Sequence, residues 1–238
     1  MYELKKYLEQ YPNAKILDIG TGKGDFINLI DYLYQDYSEI IGIDVVDYLL
    51  EMNMDTFNNN PKIKFINEDI LNTTFPKKSF DVISLSNTFH HLTNIKETLK
   101  HMVTLLKPKG IIIVSESIPE NSNKRQVSHK LLHHFAAKID REIGMIHSQT
   151  CDKNGILKAV KNYSPIPVID YWDMMVKDYK LDIQLSRLYD IIDELLEKVK
   201  DSDQYKEYKE EAEDIKLYLK ENGFQLENRL CIILKNEG

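Results

Sequence analysis

At 238 residues and 42% hydrophobic content, the chain can bury the core of one elaborated α/β domain. Its 31 basic against 38 acidic residues leave a net charge of −7, and a chain with so few arginines lacks the basic footprint that neutralises phosphates, so nucleic acid is not an expected partner. No apolar run suits a membrane span, no basic-then-apolar leader opens the chain, and Cys151 and Cys231 do not amount to a disulfide framework, which together point to the cytoplasm.

Residues 1–14 have room for one small helix carrying Tyr2, Tyr7 and Tyr11. Residues 16–19 are a short apolar run interrupted by Asp18, the pattern of a buried parallel strand. Gly20-Thr21-Gly22-Lys23-Gly24 then turns the chain where a Cβ would keep a ligand away from the backbone, and residues 25–34 read as the following helix. Strand, glycine turn and helix start form the nucleotide crevice of an open α/β sheet. The spacing is G-x-G-x-G, not the G-x-G-x-x-G of dinucleotide sites. A second run, residues 40–43, ends in Asp44 and Val45, where a carboxylate can accept both hydroxyls of a ribose. A third, residues 63–66, leads into Asn67-Glu68-Asp69-Ile70, where a carboxylate can meet an adenine amino group. The fourth, residues 80–85, runs into Ser86-Asn87-Thr88-Phe89-His90-His91-Leu92. The fifth, residues 111–114, follows a helix at about 94–106 and leads to Glu116.

Taken together, these five blocks resemble the class I S-adenosylmethionine-dependent methyltransferases, in particular the small-molecule branch that includes the ubiquinone and menaquinone C-methyltransferases. The resemblance covers residues 14–117. It implies that Asp18 with Gly20, Thr21, Gly22 and Gly24 holds the methionine part of S-adenosyl-L-methionine. Asp44 and Val45 would hold the ribose, Asp69 and Ile70 the adenine, and Ser86 and Asn87 would line the sulfonium end. It also implies an α/β fold: a Rossmann-like, seven-stranded, mostly parallel sheet with an antiparallel last hairpin and helical lid insertions. Two alternatives stay open. One is a nicotinamide-dependent Rossmann oxidoreductase, disfavoured by the glycine spacing and by Asp18 and Asp69. The other is a protein that binds S-adenosylmethionine without turnover. Ser-Asn-Thr-Phe stands where enzymes acting on the exocyclic amines of bases carry an Asn/Asp-Pro-Pro-aromatic loop, and the carboxylates of magnesium-dependent relatives are missing. The expected acceptor is therefore a small, neutral or weakly charged molecule.

Beyond residue 117 the chain is read locally. Val127, Leu131, Phe135 and Ile139, with Leu132, Ala136 and Ile143 alongside, mark an amphipathic helix over 122–143. Thr150 or Asp152 can cap a second helix reaching about residue 161. Pro165 and Pro167 open an extended segment, strand six, at about 166–172. Helices at about 182–200 and 203–222 follow, the latter stopped by Gly223, and strand seven is expected at about 224–234. This order predicts a single domain, with core 1–117 and 223–238 and insertions 118–148 and 173–222 that roof the acceptor pocket.

All seven histidines lie between residues 90 and 147. His129 and His133 share one helix face, opposite the Leu131/Phe135 stripe, and i, i+4 histidines can share zinc. No cysteine ligand or second pair accompanies them, so no resident metal is expected and the face is read as lining the acceptor pocket. Candidate bases are His91 with its neighbour His90, Glu116, His129 and His133.

Overall fold

A computed structural model describes residues 1–120, 122–145, 147, 151–175 and 184–238. In it the five apolar runs become parallel strands: β1 (Ala14–Ile19), β2 (Tyr37–Asp44), β3 (Ile63–Asn67), β4 (Phe80–Ser86) and β5 (Leu106–Ser117). Their side chains are buried in near-continuous stretches, because helices cover both faces of a parallel sheet. Those helices are α1 (Tyr2–Leu8), α2 (Asp25–Leu33), α3 (Asp47–Thr56) and α4 (Ile95–Leu105). Later come α5 (Lys124–Glu142), α6 (Lys153–Tyr163), β6 (Val168–Met174), α7 (Leu185–Lys198), α8 (Tyr205–Asn222) and β7 (Arg229–Lys235).

The sheet has seven strands in the order β3-β2-β1-β4-β5-β7-β6. β7 runs against β5, since Lys109 N donates to Asn236 O at 2.8 Å and Asn236 N to Gly110 O at 3.0 Å. Strand order reverses between β1 and β4, so the crevice of this open sheet lies beyond the carboxyl ends of those two strands. The register sets Asp18 of β1 beside Gly42 of β2 and Ser84 of β4.

The chain forms two compact units. The first comprises residues 1–116, 156–172 and 230–238 and holds the sheet core. The second comprises residues 117–155 and 173–229. Its core is an apolar cluster in which Phe135 and Ile139 of α5 meet Leu188 and Ile192 of α7 and Tyr208 and Leu219 of α8. Asn123 starts α5 with a reciprocal cap: its side chain accepts from Gln126 N at 3.0 Å, and Asn123 N donates to Gln126 Oε1 at 3.0 Å.

Several boundaries differ from the sequence reading, each for a local reason. β6 begins at Val168, because Ser164 Oγ bonds both the carbonyl and the amide of Ile166, at 2.8 and 3.2 Å, and holds the Pro165–Pro167 stretch in a turn. β7 begins at Arg229, because the residues before it bond to the start of α5 instead of a strand. Gln225 N donates to Arg125 O at 3.1 Å, and Gln126 Nε2 reaches Leu226 O at 3.2 Å and Asn228 Oδ1 at 3.1 Å. Asp152 makes the cap at α6, its Oδ1 accepting from Gly155 N at 2.6 Å, while Thr150 lies outside the described residues. Ile143, expected on the apolar stripe of α5, is 43% exposed just past the helix end. Among the described residues, no helix is long and apolar enough to cross a membrane.

Candidate active site

The glycine turn is built for close approach. Gly20 and Gly22 take φ of +63° and +52°, in the left-handed region that L side chains avoid. A Cβ on Gly20 would stand 2.3 Å from Thr88 Cγ2 and 2.4 Å from its Oγ1, whereas one on Gly22 would meet nothing within 4 Å. Gly20 is thus required by packing, and Gly22 faces open space. The turn is pinned from three sides: Thr21 N donates to Ile43 O (3.0 Å), Thr88 Oγ1 to Gly20 O (3.0 Å) and Asn53 Nδ2 to Gly22 O (2.7 Å).

Beside the turn a cleft is lined by Thr21, Gly42, Asp44, Val46, Asn53 and Phe65, among others. Asp44 Oδ2 accepts from Gly22 N at 2.8 Å, and Oδ1 accepts from Val46 N at 3.0 Å. These two bonds fix the carboxylate, and each oxygen keeps a further lone-pair site toward a ligand. Val45 is 66% exposed, and it is Val46 that lines the cleft. Asp69 is exposed and its Oδ1 accepts from Leu71 N at 2.8 Å, which caps a short 3-10 turn in which Ile70 is buried.

Asp18 is 1% exposed, with Ser84 Oγ donating to its Oδ1 at 2.6 Å. Burial pushes its carboxyl up to about 6, partly opposed by the hydroxyls of Ser84 and Thr21, and the charge of Asp44 adds to the rise. A buried acid placed on the edge of ionisation beside a cleft is a signature of functional sites.

The segment after β4 is held by one carboxylate. Glu116, 3% exposed at the end of β5, accepts from Thr88 N and Phe89 N through Oε1, both at 2.8 Å. Its Oε2 lies 2.9 Å from His90 Nδ1, and the His91 ring stands 4.2 Å from that of His90. Asn87, at φ +48°, donates its amide to Ser115 O at 2.8 Å, so Ser86 and Asn87 leave the sheet in one defined direction. Glu116 therefore orients a turn and an imidazole, which is the geometry of a positioning group.

The histidines of the second unit pair differently from their spacing. His129 Nδ1 lies 3.1 Å from Oε2 of the fully buried Glu227, with its ring centroid 5.7 Å from Phe224. His133 Nε2 faces His147 Nε2 at 3.3 Å. His129 and His133 are both half-buried.

Sequence reasoning did not single out Ser84, Val46, Asn53 or Phe65. Their only signal is strand register and the position of α3, whose apolar spacing is weak.

The match to known proteins is concentrated on the strands that build this cleft. Residues 17–114 match the methyltransferase domain family. A phosphoethanolamine N-methyltransferase of Plasmodium falciparum is 31% identical over 111 residues, which is 46% of this chain and 41% of that protein. A ubiquinone/menaquinone biosynthesis C-methyltransferase of Azotobacter vinelandii is 29% identical over 112 residues, 45% of this chain and 44% of that protein. The chain thus spans less than half the length of these curated relatives. A phosphoethanolamine N-methyltransferase of Haemonchus contortus, solved with S-adenosylhomocysteine and phosphomonomethylethanolamine, shares the fold at a TM-score of 0.56 and 14% identity, over 99% of this chain and 52% of that one. The sheet order and the glycine turn agree with this match: residues 17–114 are similar to methyltransferase domains, on a fold shared with solved methyltransferases.

Proposed function

We propose that the chain transfers a methyl group from S-adenosylmethionine to a small, neutral or weakly charged acceptor. The observation that carries this reading is the cleft itself: a backbone-fixed Asp44 carboxylate, open space over Gly22 and the buried acid Asp18 lie along one glycine turn. This donor set suits an adenosyl cofactor, with vicinal hydroxyls for Asp44 and a positive charge for Asp18. In the same reading Gly20, Thr21 and Gly24 shape the methionine end, Val45 flanks the ribose, Asp69 and Ile70 meet the adenine, and Ser86 and Asn87 line the reacting end. The cofactor supplies an already activated methyl group, so the protein's task is alignment and exclusion of water.

Where the acceptor must lose a proton, we assign the base to His90. Donation of Nδ1–H to Glu116 sets the tautomer and puts the basic lone pair on Nε2, and the carboxylate stabilises the imidazolium that forms. His91, whose ring lies 4.2 Å away at a tilt of 41°, packs beside it. His129, beside Glu227, and His133, beside His147, are the other candidates. Acidic net charge and a content of only two cysteines favour a cytoplasmic enzyme that does not act on nucleic acid.

Calorimetry with S-adenosylmethionine, S-adenosylhomocysteine and NAD tests the cofactor, with binding expected for the first two only. Tight NAD binding without a response to S-adenosylhomocysteine would favour an oxidoreductase. Turnover of labelled S-adenosylmethionine over a panel of small hydroxyl, amine and acidic-carbon acceptors tests the reaction. His90→Ala should lower kcat by about 10²–10⁴-fold, the range for a general base. Glu116→Gln should lower kcat as well, because His90 loses the carboxylate that orients its ring. Binding without transfer to any acceptor class would leave a non-catalytic binding protein.

A further inference from the structure

We propose that His133 and His147 bind a divalent transition-metal ion of the zinc type within the second unit. The two Nε2 atoms face each other at 3.3 Å. Two nitrogens each about 2.0–2.1 Å from one zinc ion, at the tetrahedral angle, stand about 3.3–3.4 Å apart. The observed separation matches the edge of a zinc tetrahedron.

His147 has the form of a supported ligand. His147 Nδ1 lies 2.8 Å from Asp140 Oδ2, which directs the proton of a neutral ring to Nδ1 and the lone pair of Nε2 toward His133. A carboxylate behind a histidine in this way fixes the tautomer and raises the basicity of the ligating nitrogen. His147 and Asp140 are enclosed, with side chains 9% and 15% exposed. Asp140 follows His133 by seven residues on α5, close to two helical turns, so both project from one side of the helix. His147 returns to that side because Arg141 NH1 donates to His147 O at 2.8 Å and Met145 N donates to Asp140 O at 2.8 Å. The spacing-based pair is different: His129 is engaged by Glu227. Two protein nitrogens do not fill a tetrahedral shell, and the remaining positions take other donors. The ion would tie His147 to α5.

A proton shared between the two rings is the competing occupant of the same geometry. Untagged full-length protein, equilibrated with zinc chloride and dialysed, is measured by elemental analysis, and the cobalt-substituted protein by visible absorption. The expected result is one zinc per chain and the strong d–d bands of tetrahedral cobalt. Zinc should fall to background in His133→Ala and in His147→Ala and persist in His129→Ala. Asp140→Asn should weaken zinc about 10–100-fold, as loss of a supporting carboxylate does. Circular dichroism and thermal melts establish that each variant is folded, and the cobalt spectrum of the unmodified protein decides the matter if a variant is not. Background zinc in the unmodified protein, weak octahedral cobalt bands, or zinc kept in His147→Ala but lost in His129→Ala would overturn the proposal. None of these measurements reads methyl transfer, so the site stands or falls apart from the methyltransferase reading.

Discussion

Two carboxylates one strand apart are held in opposite ways, and that difference sets their expected behaviour. Asp44 keeps both oxygens fixed by backbone amides and turned to a cleft. Asp44→Ala should weaken S-adenosylhomocysteine binding by about 1.5–3 kcal/mol, the range for hydrogen bonds to a charged group, as read by calorimetry. Asp18 is buried with a hydroxyl partner, and its carboxyl is raised to about 6. An unfolded aspartate titrates near 3.9, so the folded chain binds this proton more tightly than the unfolded chain. Stability of the ligand-free protein should therefore be highest below about pH 4 with respect to this group. It should fall as pH rises from about 4 to about 6 and level off above, by on the order of 3 kcal/mol in all. Urea unfolding across that window should show the slope, and Asp18→Asn should remove it. A ligand that needs the ionised form binds with the opposite trend: S-adenosylhomocysteine affinity should drop as pH falls below about 6.

At the scale of an element, the glycine turn separates two requirements that look identical in sequence. Gly20→Ala would force a Cβ into Thr88 and into a left-handed conformation, so it should lower the unfolding midpoint and abolish S-adenosylhomocysteine binding together. Gly22→Ala meets open space, so its stability cost should stay near the left-handed penalty of about 1–2 kcal/mol. Cofactor-product binding should still be lost, because the new methyl enters the space where the ligand approaches. Parallel thermal melts and titrations of the two variants check this; equal melting losses would mean that the turn is not pinned by Thr88. The strands around the turn were legible because each is a short apolar run ended by polar residues. The late boundaries were not. Whether residues 224–228 extend β7 depends on Gln126 and Arg125, about 100 residues earlier.

Over the whole molecule, stability is divided between two cores. Phe135 is completely buried between α5, α7 and α8, and Phe135→Ala should cost about 3–5 kcal/mol by leaving a cavity there. Hydrogen exchange should rise first in those three helices, since local stability follows local packing. Exchange that rises equally in β1 and β4 would mean that the two cores unfold as one.

The amino-acid sequence by itself determined the parallel strands, the glycine turn, the order of polar residues at the strand ends and hence the family resemblance. These are local patterns, written in periodicity and in the steric demands of glycine. Tertiary structure decided what those residues face. Ser84 reaches Asp18 only because β4 pairs with β1 in one register, Asn53 reaches Gly22 because α3 packs beside the turn, and Glu116 reaches His90 because β5 lies next to β4. The histidines of α5 make the same point. Spacing joins His129 to His133, but burial of Glu227 draws one away and the returning chain brings His147 to the other. Such partners are distant in sequence, and their choice follows from which buried polar groups must be satisfied once the chain is packed.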